Sequence, residues 1–215
     1  VNAGQLTKIT APPAYAGAAA QVAEFAYDTD GNLINTTAPG GGVTSYLYDA
    51  NGNVTQSTSP DGKTVEYWYD SGNRVTRTRT YGSNASQPNV TQYTHNAYDS
   101  EGHLRYSVSA EGHVTEYRYT GTGLLQHVIE YPEHTYPVGA ATVDETSMDA
   151  WRDAIADRSS IKIMRYNYDA RGNQSWAVNY GSANVDGSIS TAEGYSRTYF
   201  TYDQAGKLLS RYNNG

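Results

Sequence analysis

The sequence predicts an all-β protein in which antiparallel β-hairpin repeats stack into a curved spiral ribbon, with one short inserted helix near residues 146–158. Three observations lead to this prediction. A Tyr-Asp pair recurs along the chain, a glycine follows most of these pairs at the same distance, and aromatic and polar residues alternate between the glycines. Alternation with a period of two is typical of strands whose side chains point to opposite faces of a sheet.

Each repeat unit begins at a tyrosine. Tyr27, Tyr48 and Tyr69 follow one another at intervals of 21 residues, and longer intervals further along the chain indicate inserted segments. The units begin near Tyr27, Tyr48, Tyr69, Tyr98, Tyr119, Tyr168 and Tyr202. The positions that the pattern singles out as structural are Tyr27, Asp28, Gly31, Tyr48, Asp49, Gly52, Tyr69, Asp70, Tyr98, Asp99, Gly102, Tyr168, Asp169, Gly172, Tyr202, Asp203 and Gly206. Residues 1–215 are therefore interpreted as a single repeat array that is a fragment of something longer.

Glycines preceded by Asp or Asn predict the hairpin turns. Pairs such as Asn51-Gly52 tolerate the positive φ of tight turns. Between turns, the alternation places Tyr67 and Tyr69 on one face of a strand and Glu66 and Trp68 on the other. Tyrosines at equivalent positions of stacked hairpins are expected to meet as cross-strand neighbours and form an aromatic ladder.

Two insertions interrupt the array. Residues 132–160 form the larger one, in which Trp151 and Ile155 lie at helical spacing and are expected to pack one amphipathic helix on a sheet face. Thr146 and Asp149 resemble a capping box at the start of this helix. Residues 181–194 form a second, polar loop insertion.

Composition excludes several classes of function. The chain has a formal net charge of −7 and no cluster of basic residues, so we expect no nucleic-acid partner. No apolar run approaches the roughly 18 residues of a membrane span, so we expect none. The chain contains no cysteine, which excludes disulfides and thiol chemistry.

The repeat motif resembles a known family. Tyr48-Asp49-Ala50-Asn51-Gly52-Asn53-Val54, followed by Ser59-Pro60-Asp61-Gly62 and Tyr67-Trp68-Tyr69-Asp70, is similar to the RHS repeat, also called the YD repeat. The family includes bacterial polymorphic toxins, insecticidal toxin complexes and the animal teneurins. The resemblance implies a β-hairpin ribbon that spirals into a hollow shell, which in bacterial members encloses a toxin domain. No Asp-Pro occurs in the chain, so the self-cleaving segment that ends many bacterial shells is not expected here.

Catalytic and metal-binding motifs are not found in the sequence. There is no nucleophile elbow, no phosphate-binding loop and no His-Glu-x-x-His, so we predict no enzyme activity, no catalytic residue and no cofactor. One loop follows the register of a calcium-binding loop, with Asn184, Asp186 and Glu193 at ligand positions. A polar Asp-Gly turn explains the same residues and is preferred, so no metal site is predicted.

The sequence favours a structural role. We expect a repeat segment of a large exported bacterial RHS/YD-repeat protein, secreted or at the cell surface, whose β-shell encapsulates or displays a toxin or effector domain. Its partners would be the remainder of its own longer chain and the enclosed toxin domain. The alternative is an adhesion module that binds a carbohydrate or a cell-surface partner, for which Trp68 and Trp176 offer aromatic platforms.

Overall fold

The computed structural model describes residues 4–15, 17–82, 91–139, 141, 143–191 and 194–214. These residues form fifteen strands and one helix. The chain divides into two compact units, Val1–Tyr93 and Thr94–Gly215. The strands are β1 (Lys8–Ala11), β2 (Gln21–Tyr27), β3 (Leu33–Thr37), β4 (Val43–Tyr48), β5 (Val54–Thr58), β6 (Thr64–Tyr69), β7 (Val75–Tyr81), β8 (Gln92–Tyr98), β9 (Leu104–Val108), β10 (His113–Tyr119), β11 (Leu125–Thr135), β12 (Lys162–Tyr168), β13 (Gln174–Tyr180), β14 (Tyr195–Tyr202) and β15 (Leu208–Asn214), and helix α1 is Glu145–Asp153.

Strand order within each unit follows the order of the chain. In the first unit each strand from β1 to β7 pairs antiparallel with the next one. In the second unit the strands from β8 to β15 do the same. The predicted fold class, antiparallel β-hairpin repeats with one short helix, is confirmed.

The turn after each Tyr-Asp pair has one geometry. The amide of Asp28 donates to the carbonyl of Asn32 at 2.9 Å, and the amide of Gly31 donates back to the carbonyl of Asp28 at 3.3 Å. Gly31 has a φ of 94°, which a residue with a Cβ adopts only with strain. A register shift accompanies the turn between Ala26 and Tyr27, so each hairpin carries a bulge beside its tyrosine.

The two faces of the sheet have different characters. The face that carries the repeat tyrosines, here called the tyrosine face, also carries the aromatic residue two positions earlier, such as Tyr67 before Tyr69. The other face, here called the opposite face, carries Glu66 and Trp68. In the first unit, Thr64 is the one buried residue among those described.

The core lies on the opposite face of the second unit. There the strands contribute large apolar side chains that are almost completely excluded from solvent. The strand residues in this core are Ala97, Tyr106, Val108, Val114, Ile129, Tyr131, Ile163, Val178 and Tyr180. Met148 of α1, which is 0% exposed, packs on them together with Val143, Ile161 and Ala183. The core exists because the chain folds back over this face.

Both predicted insertions form one layer, here called the cap, on that face. The amide of Arg158 donates to the carbonyl of Val185 at 3.0 Å, and the amide of Ala183 donates to the carbonyl of Ser159 at 3.2 Å. Ile189 packs against the core from the second insertion, and Ile155 does so from the first. Two segments that are far apart in sequence therefore cover the same sheet surface.

The boundaries of the first insertion differ from the predicted ones. Strand β11 continues to Thr135, so the chain leaves the sheet later than residue 132. Helix α1 starts one residue before the predicted residue 146, and it ends at Asp153, five residues before the predicted residue 158. Its capping box joins Asp144 and Ser147, so the predicted pairing of Thr146 with Asp149 is wrong. Asp149 instead accepts a hydrogen bond from the sheet, at 2.5 Å from the hydroxyl of Tyr106.

Gly112 marks a close approach between a turn and the cap, and it offers a test of how the cap is held. A Cβ at Gly112 would lie 2.6 Å from the carbonyl oxygen of Tyr136, whereas a Cβ at Gly172 would meet nothing within 4 Å. The two glycines have nearly equal φ values of 86° and 83°. We expect Gly172→Ala to lower the free energy of unfolding by about 1 kcal/mol, the cost of a left-handed residue, and Gly112→Ala to lower it by at least about twice that. Urea unfolding measures both, and equal losses would contradict the close approach.

Candidate functional site: the repeat turns and a buried ion cluster

The hydroxyl groups of five repeat tyrosines each join two neighbouring hairpins. Tyr69 donates to the carbonyl oxygen of Val54, 15 residues earlier, at 2.7 Å. The same bond recurs at other repeats: Tyr27 to Leu6 at 2.9 Å, Tyr48 to Leu33 at 2.7 Å, Tyr119 to Leu104 at 3.0 Å and Tyr168 to Leu125 at 2.7 Å. The acceptors of Tyr48, Tyr69, Tyr119 and Tyr168 lie six positions after the preceding repeat tyrosine. The tyrosine is therefore a clamp between neighbouring hairpins.

The clamp acts where the pairing between hairpins stops. Strands β5 and β6 pair from Thr58–Thr64 to Gln56–Glu66. Val54 lies two residues beyond the last of these pairs, so its carbonyl depends on the tyrosine hydroxyl rather than on a strand amide. A buried carbonyl without a partner is unfavourable, and the hydroxyl removes this cost. Burial raises the pKa of Tyr48, Tyr69, Tyr119 and Tyr168, which keeps the hydroxyl groups protonated as donors.

The aromatic ladder expected from the sequence is wrong. Tyr46 lies opposite Ser57, and Tyr67 lies opposite Thr78. In the first unit, small hydroxyl side chains therefore lie opposite these aromatic residues on the tyrosine face. The tyrosines connect hairpins through hydroxyl-to-backbone hydrogen bonds, whose partner depends on the bulge and cannot be read from the alternation alone.

The aspartate after each tyrosine holds the turn closed. One carboxylate oxygen of Asp49 accepts from the amides of Asn51 and Asn53, both at 2.9 Å, and the other accepts from the side-chain amide of Asn53 at 3.0 Å. The side chain and then the backbone of Asn53 lower the pKa of Asp49. Asp28, Asp70, Asp99, Asp169 and Asp203 accept from the amides two and four residues later in the same way.

Repeats that depart from the motif keep the same geometry with other atoms. Thr120 replaces the aspartate, and its hydroxyl accepts from the amides of Thr122 and Leu124 at 3.3 and 3.1 Å. Asn73 occupies the glycine position with a φ of 58°, and among the described residues it is the one non-glycine residue with a positive φ. Its side-chain oxygen accepts from Asn53 of the preceding turn at 2.8 Å, which links two turns.

A buried ion cluster fastens the cap to the sheet, and sequence reasoning missed it. Glu116 of β10 is 0% exposed. Its carboxylate lies 2.6 Å from Nε of Arg118 and 3.4 Å from guanidinium nitrogens of Arg105 and Arg152, and it accepts from the hydroxyl of Tyr131 at 2.6 Å. Arg152 belongs to α1, so one residue of the cap is bound directly to the centre of the sheet.

The cap also presents acids to the sheet. Arg105 donates from Nε to the carboxylate of Glu145 at 3.0 Å and from Nη1 to the carbonyl of Tyr117. Burial alone would raise the pKa of Glu116, but Arg118, Tyr131 and Arg152 outweigh it and the pKa is lowered. Glu116 therefore stays ionised, and the arginines have the anion they need. Burial, followed by the Glu116 charge, raises the pKa of Tyr106 and Tyr131 far above their usual range.

One signal for this cluster was present in the sequence. Glu116 lies three residues before Tyr119, as Glu66 lies three residues before Tyr69. In the first unit Glu66 accepts from the hydroxyl of Tyr81 at 3.0 Å, which is the counterpart of the bond from Tyr131 to Glu116. The repeat pattern thus marks a glutamate–tyrosine pair. It gives no information about Arg152, which comes from an insertion.

The candidate calcium loop is described only in part. Asp186 accepts from the amide of Ser188 at 2.9 Å, and the side-chain amide of Asn184 donates to the hydroxyl of Ser188 at 2.8 Å. Glu193 lies outside the described residues. Asn184 directs its donor into the loop, and the guanidinium of Arg158 donates to the carbonyl of Asp186 at 3.5 Å. These contacts are those of a polar turn, and calcium binding stays untested.

One group of possible metal ligands lies at a repeat turn. Asp99, Glu101 and His103 have ligand atoms within 4.8 Å of one another. Nδ1 of His103 lies 3.1 Å from the carboxylate of Asp99, in the place where Asn53 contacts Asp49. His103 also stacks on Tyr119, with 4.6 Å between ring centroids. The turn geometry explains this group without a metal ion.

The two predicted aromatic platforms both lie beside arginines. The guanidinium carbon of Arg77 lies 3.8 Å from the ring centroid of Trp68. Arg165 and Arg197 lie 5.6 and 5.2 Å from the centroid of Trp176. Arg77 therefore covers one face of Trp68, while Trp176 lies between two cations. Carbohydrate binding by these rings stays a prediction.

Comparison with known proteins agrees with the repeat geometry. A family model described as RHS Repeat matches residues 27–64 and 48–85. Residues 27–85 therefore carry RHS repeats. The clamp and the turn found in residues 27–85 recur in the strands beyond them, so the RHS-repeat geometry extends past the matched segment. No curated protein sequence is significantly similar to the chain.

Solved structures share the fold of this chain. The crystal structure of TcdB2-TccC3-TEV has a TM-score of 0.52 and 13% identity, and the match covers 95% of this chain and 11% of that chain. The crystal structure of TcdB2-TccC3-Cdc42 has a TM-score of 0.51 and 14% identity, and the match covers 89% of this chain and 10% of that chain. The chain spans about a tenth of the length of these solved chains. Among the described residues, no helix has both the length and the apolar character needed to cross a membrane.

The hydroxyl of Tyr69 provides a test of the clamp. Tyr69→Phe removes the bond to the carbonyl of Val54 and leaves the ring in place, so we expect a loss of about 1 kcal/mol in the free energy of unfolding. Tyr67→Phe, two residues earlier on the same face, is the matched control and should change stability by less than about 0.5 kcal/mol. Chemical unfolding measures both variants. A loss that is equal in the two would show that the hydroxyl does not hold the hairpins together.

Glu116 tests the ion cluster, with Glu66 as a control at the equivalent repeat position. Glu116→Gln removes the buried carboxylate that Arg105, Arg118 and Arg152 share, and we expect a loss of about 3–5 kcal/mol in the free energy of unfolding. The side chain of Glu66 is 22% exposed and has one arginine partner at 3.4 Å, so Glu66→Gln should cost less than about 1 kcal/mol. Hydrogen exchange of the α1 amides should accelerate in Glu116→Gln alone. Unchanged exchange in α1 would argue against the cluster as the fastener of the cap.

Proposed function

We propose that this RHS-repeat chain is a wall segment of a large exported bacterial shell that encloses or displays a toxin or effector domain. The observation that supports this function best is the clamped hairpin array. It repeats one structural unit through tyrosine-to-carbonyl bonds, and the same fold covers a tenth of the much longer TcdB2-TccC3 chains. A wall needs uniform connections between neighbouring units, and the clamp supplies them.

The chemistry of the described residues fits a structural role. The carboxylates of the repeat-turn aspartates accept hydrogen bonds from backbone amides, as that of Asp49 does from Asn51 and Asn53. Glu116, the most buried carboxylate, is surrounded by cations and lies under the cap. These groups stabilise the fold, and we assign no catalytic step to them. The proposed partners are the remainder of the longer chain and the enclosed domain.

Protection from a protease tests the enclosure. The complete protein that contains this chain would be treated with proteinase K, and digestion of the adjoining non-repeat domain would be followed over time. We expect this domain to survive at least tenfold longer in the complete protein than alone. Equal rates of digestion would refute the enclosure.

A pair of variants of the complete protein tests whether the cap region contributes to this protection. Glu116→Gln should shorten the protection, because it loosens the cap and the strands beneath it, whereas Glu66→Gln should not. Protection that is the same in the two variants would show that the cap region is not needed for the wall.

A further inference from the structure

The cap leaves part of the opposite face uncovered in the second unit. Beyond the buried Val178 and Tyr180, this face continues across β13, β14 and β15 with aromatic and arginine side chains. Cross-strand partners place them together: Trp176 lies opposite Tyr199, and Tyr199 lies opposite Tyr212. The residues of this surface, here called the arginine–aromatic patch, are Arg165, Trp176, Tyr195, Arg197, Tyr199 and Tyr212. Tyr195 and Tyr212 are 48% and 53% exposed, so the patch is open to solvent.

The arginines of the patch have no carboxylate partner among the described residues. In the second unit the described ion pairs engage arginines under the cap and at the turns, namely Arg105, Arg118, Arg152, Arg158 and Arg171. Arg197 donates from Nη1 to the hydroxyl of Tyr199 at 3.2 Å, and its Nε is buried without an acceptor in the described part of the chain. The patch is therefore positive within an acidic chain.

His127, which neighbours the patch, lies beside two arginines. His127 lies opposite Arg165 in the register of β11 and β12, and opposite Arg118 in that of β10 and β11. Burial lowers the pKa of His127, and Arg165 and then Arg118 lower it further, against the opposite effect of Glu116. The charge of Arg165 therefore reaches His127 across the strand pair.

The capped part of the same face shows what kind of ligand this surface binds. The cap is held by carboxylates that meet sheet arginine and tyrosine groups: Glu145 with Arg105 at 3.0 Å, and Asp149 with the hydroxyl of Tyr106 at 2.5 Å. An aromatic ring of the cap, Trp151, packs edge-on against Tyr131 with 5.2 Å between centroids. The patch repeats the sheet side of this interface, with half-buried arginines beside the exposed Tyr195 and Tyr212, and no acidic segment covers it among the described residues.

We propose that the arginine–aromatic patch binds an acidic, aromatic polypeptide segment of another chain. Carboxylates of the segment pair with Arg165 and Arg197, and its rings pack against Tyr195 and Tyr212. The two arginines lie on β12 and β14, about 10 Å apart by strand spacing, which matches acidic residues three positions apart in a polyproline II segment, where they lie on the same side about 9 Å apart. This binding activity is separate from the wall function proposed above.

A designed peptide tests the patch on the full chain. The probe is a synthetic polyproline II peptide with glutamate at every third position and proline and tyrosine between them, and the control peptide has glutamine in place of glutamate. Isothermal titration at low salt, about 50 mM, should show binding of the glutamate peptide and at least tenfold weaker binding of the control. Raising the salt concentration to about 300 mM should lower the affinity of the chain for the glutamate peptide, because the contacts are ionic. No binding of the glutamate peptide, or equal binding of both peptides, would overturn the proposal.

Variants of the arginines locate the binding. The double variant Arg165→Gln and Arg197→Gln should bind the glutamate peptide at least tenfold more weakly. Arg171→Gln, at an exposed turn of the same unit, should change the affinity less than twofold. Thermal unfolding checks that each variant is folded, and Arg197→Gln alone serves for the comparison if the double variant is not. Equal losses in Arg171→Gln, or binding of heparin in place of the peptide, would refute an acidic polypeptide as the ligand.

Discussion

The hydrogen bond from a tyrosine hydroxyl to the carbonyl of the preceding hairpin is the interaction on which this structure depends. Backbone pairing between hairpins covers only a few residues, as in β5 and β6, and stops before the tyrosine turn. The bond from Tyr69 to Val54 closes the gap that remains. The aspartate next to the tyrosine fixes the turn, so ring position and turn geometry are set together. A hairpin that kept its strands but lost this pair would remain attached to its neighbour along only part of its length.

The same repeat positions carry different chemistry in the two units. Gln56 and Thr58 of the first unit correspond to Tyr106 and Val108 of the second, and Arg79 corresponds to Ile129. The polar set tolerates water on the opposite face, whereas the apolar set requires a cover. The cap meets that requirement, and the fully buried Glu116 under it is surrounded by three arginines. The repeat therefore fixes the backbone, and the side chains of the opposite face decide where a second layer forms.

The fold was predictable from the sequence because its signals are local. The Tyr-Asp pair and the glycine after it fall within five residues, and strand alternation needs no distant partner. The role of the tyrosines was not predictable, because the acceptor of Tyr69 depends on the bulge and on where β5 and β6 stop pairing. The helix start was misplaced for a related reason. Asp149 fits a capping box by spacing, yet its carboxylate accepts a hydrogen bond from the hydroxyl of Tyr106, 43 residues away. Contacts of this kind, and those of Arg152 with Glu116, leave no periodic trace in the sequence.

The bond between Tyr168 and Leu125 spans 43 residues, although its equivalents at Tyr48 and Tyr69 span 15. The larger insertion, which contains α1, has thus been placed between two hairpins without altering how they dock. Ring-closure entropy grows only with the logarithm of length, so the longer excursion costs roughly 1 kcal/mol more than the short one. The repeat array therefore tolerates long insertions in its loops. Such an insertion can add a new surface while the register of the remaining hairpins stays the same.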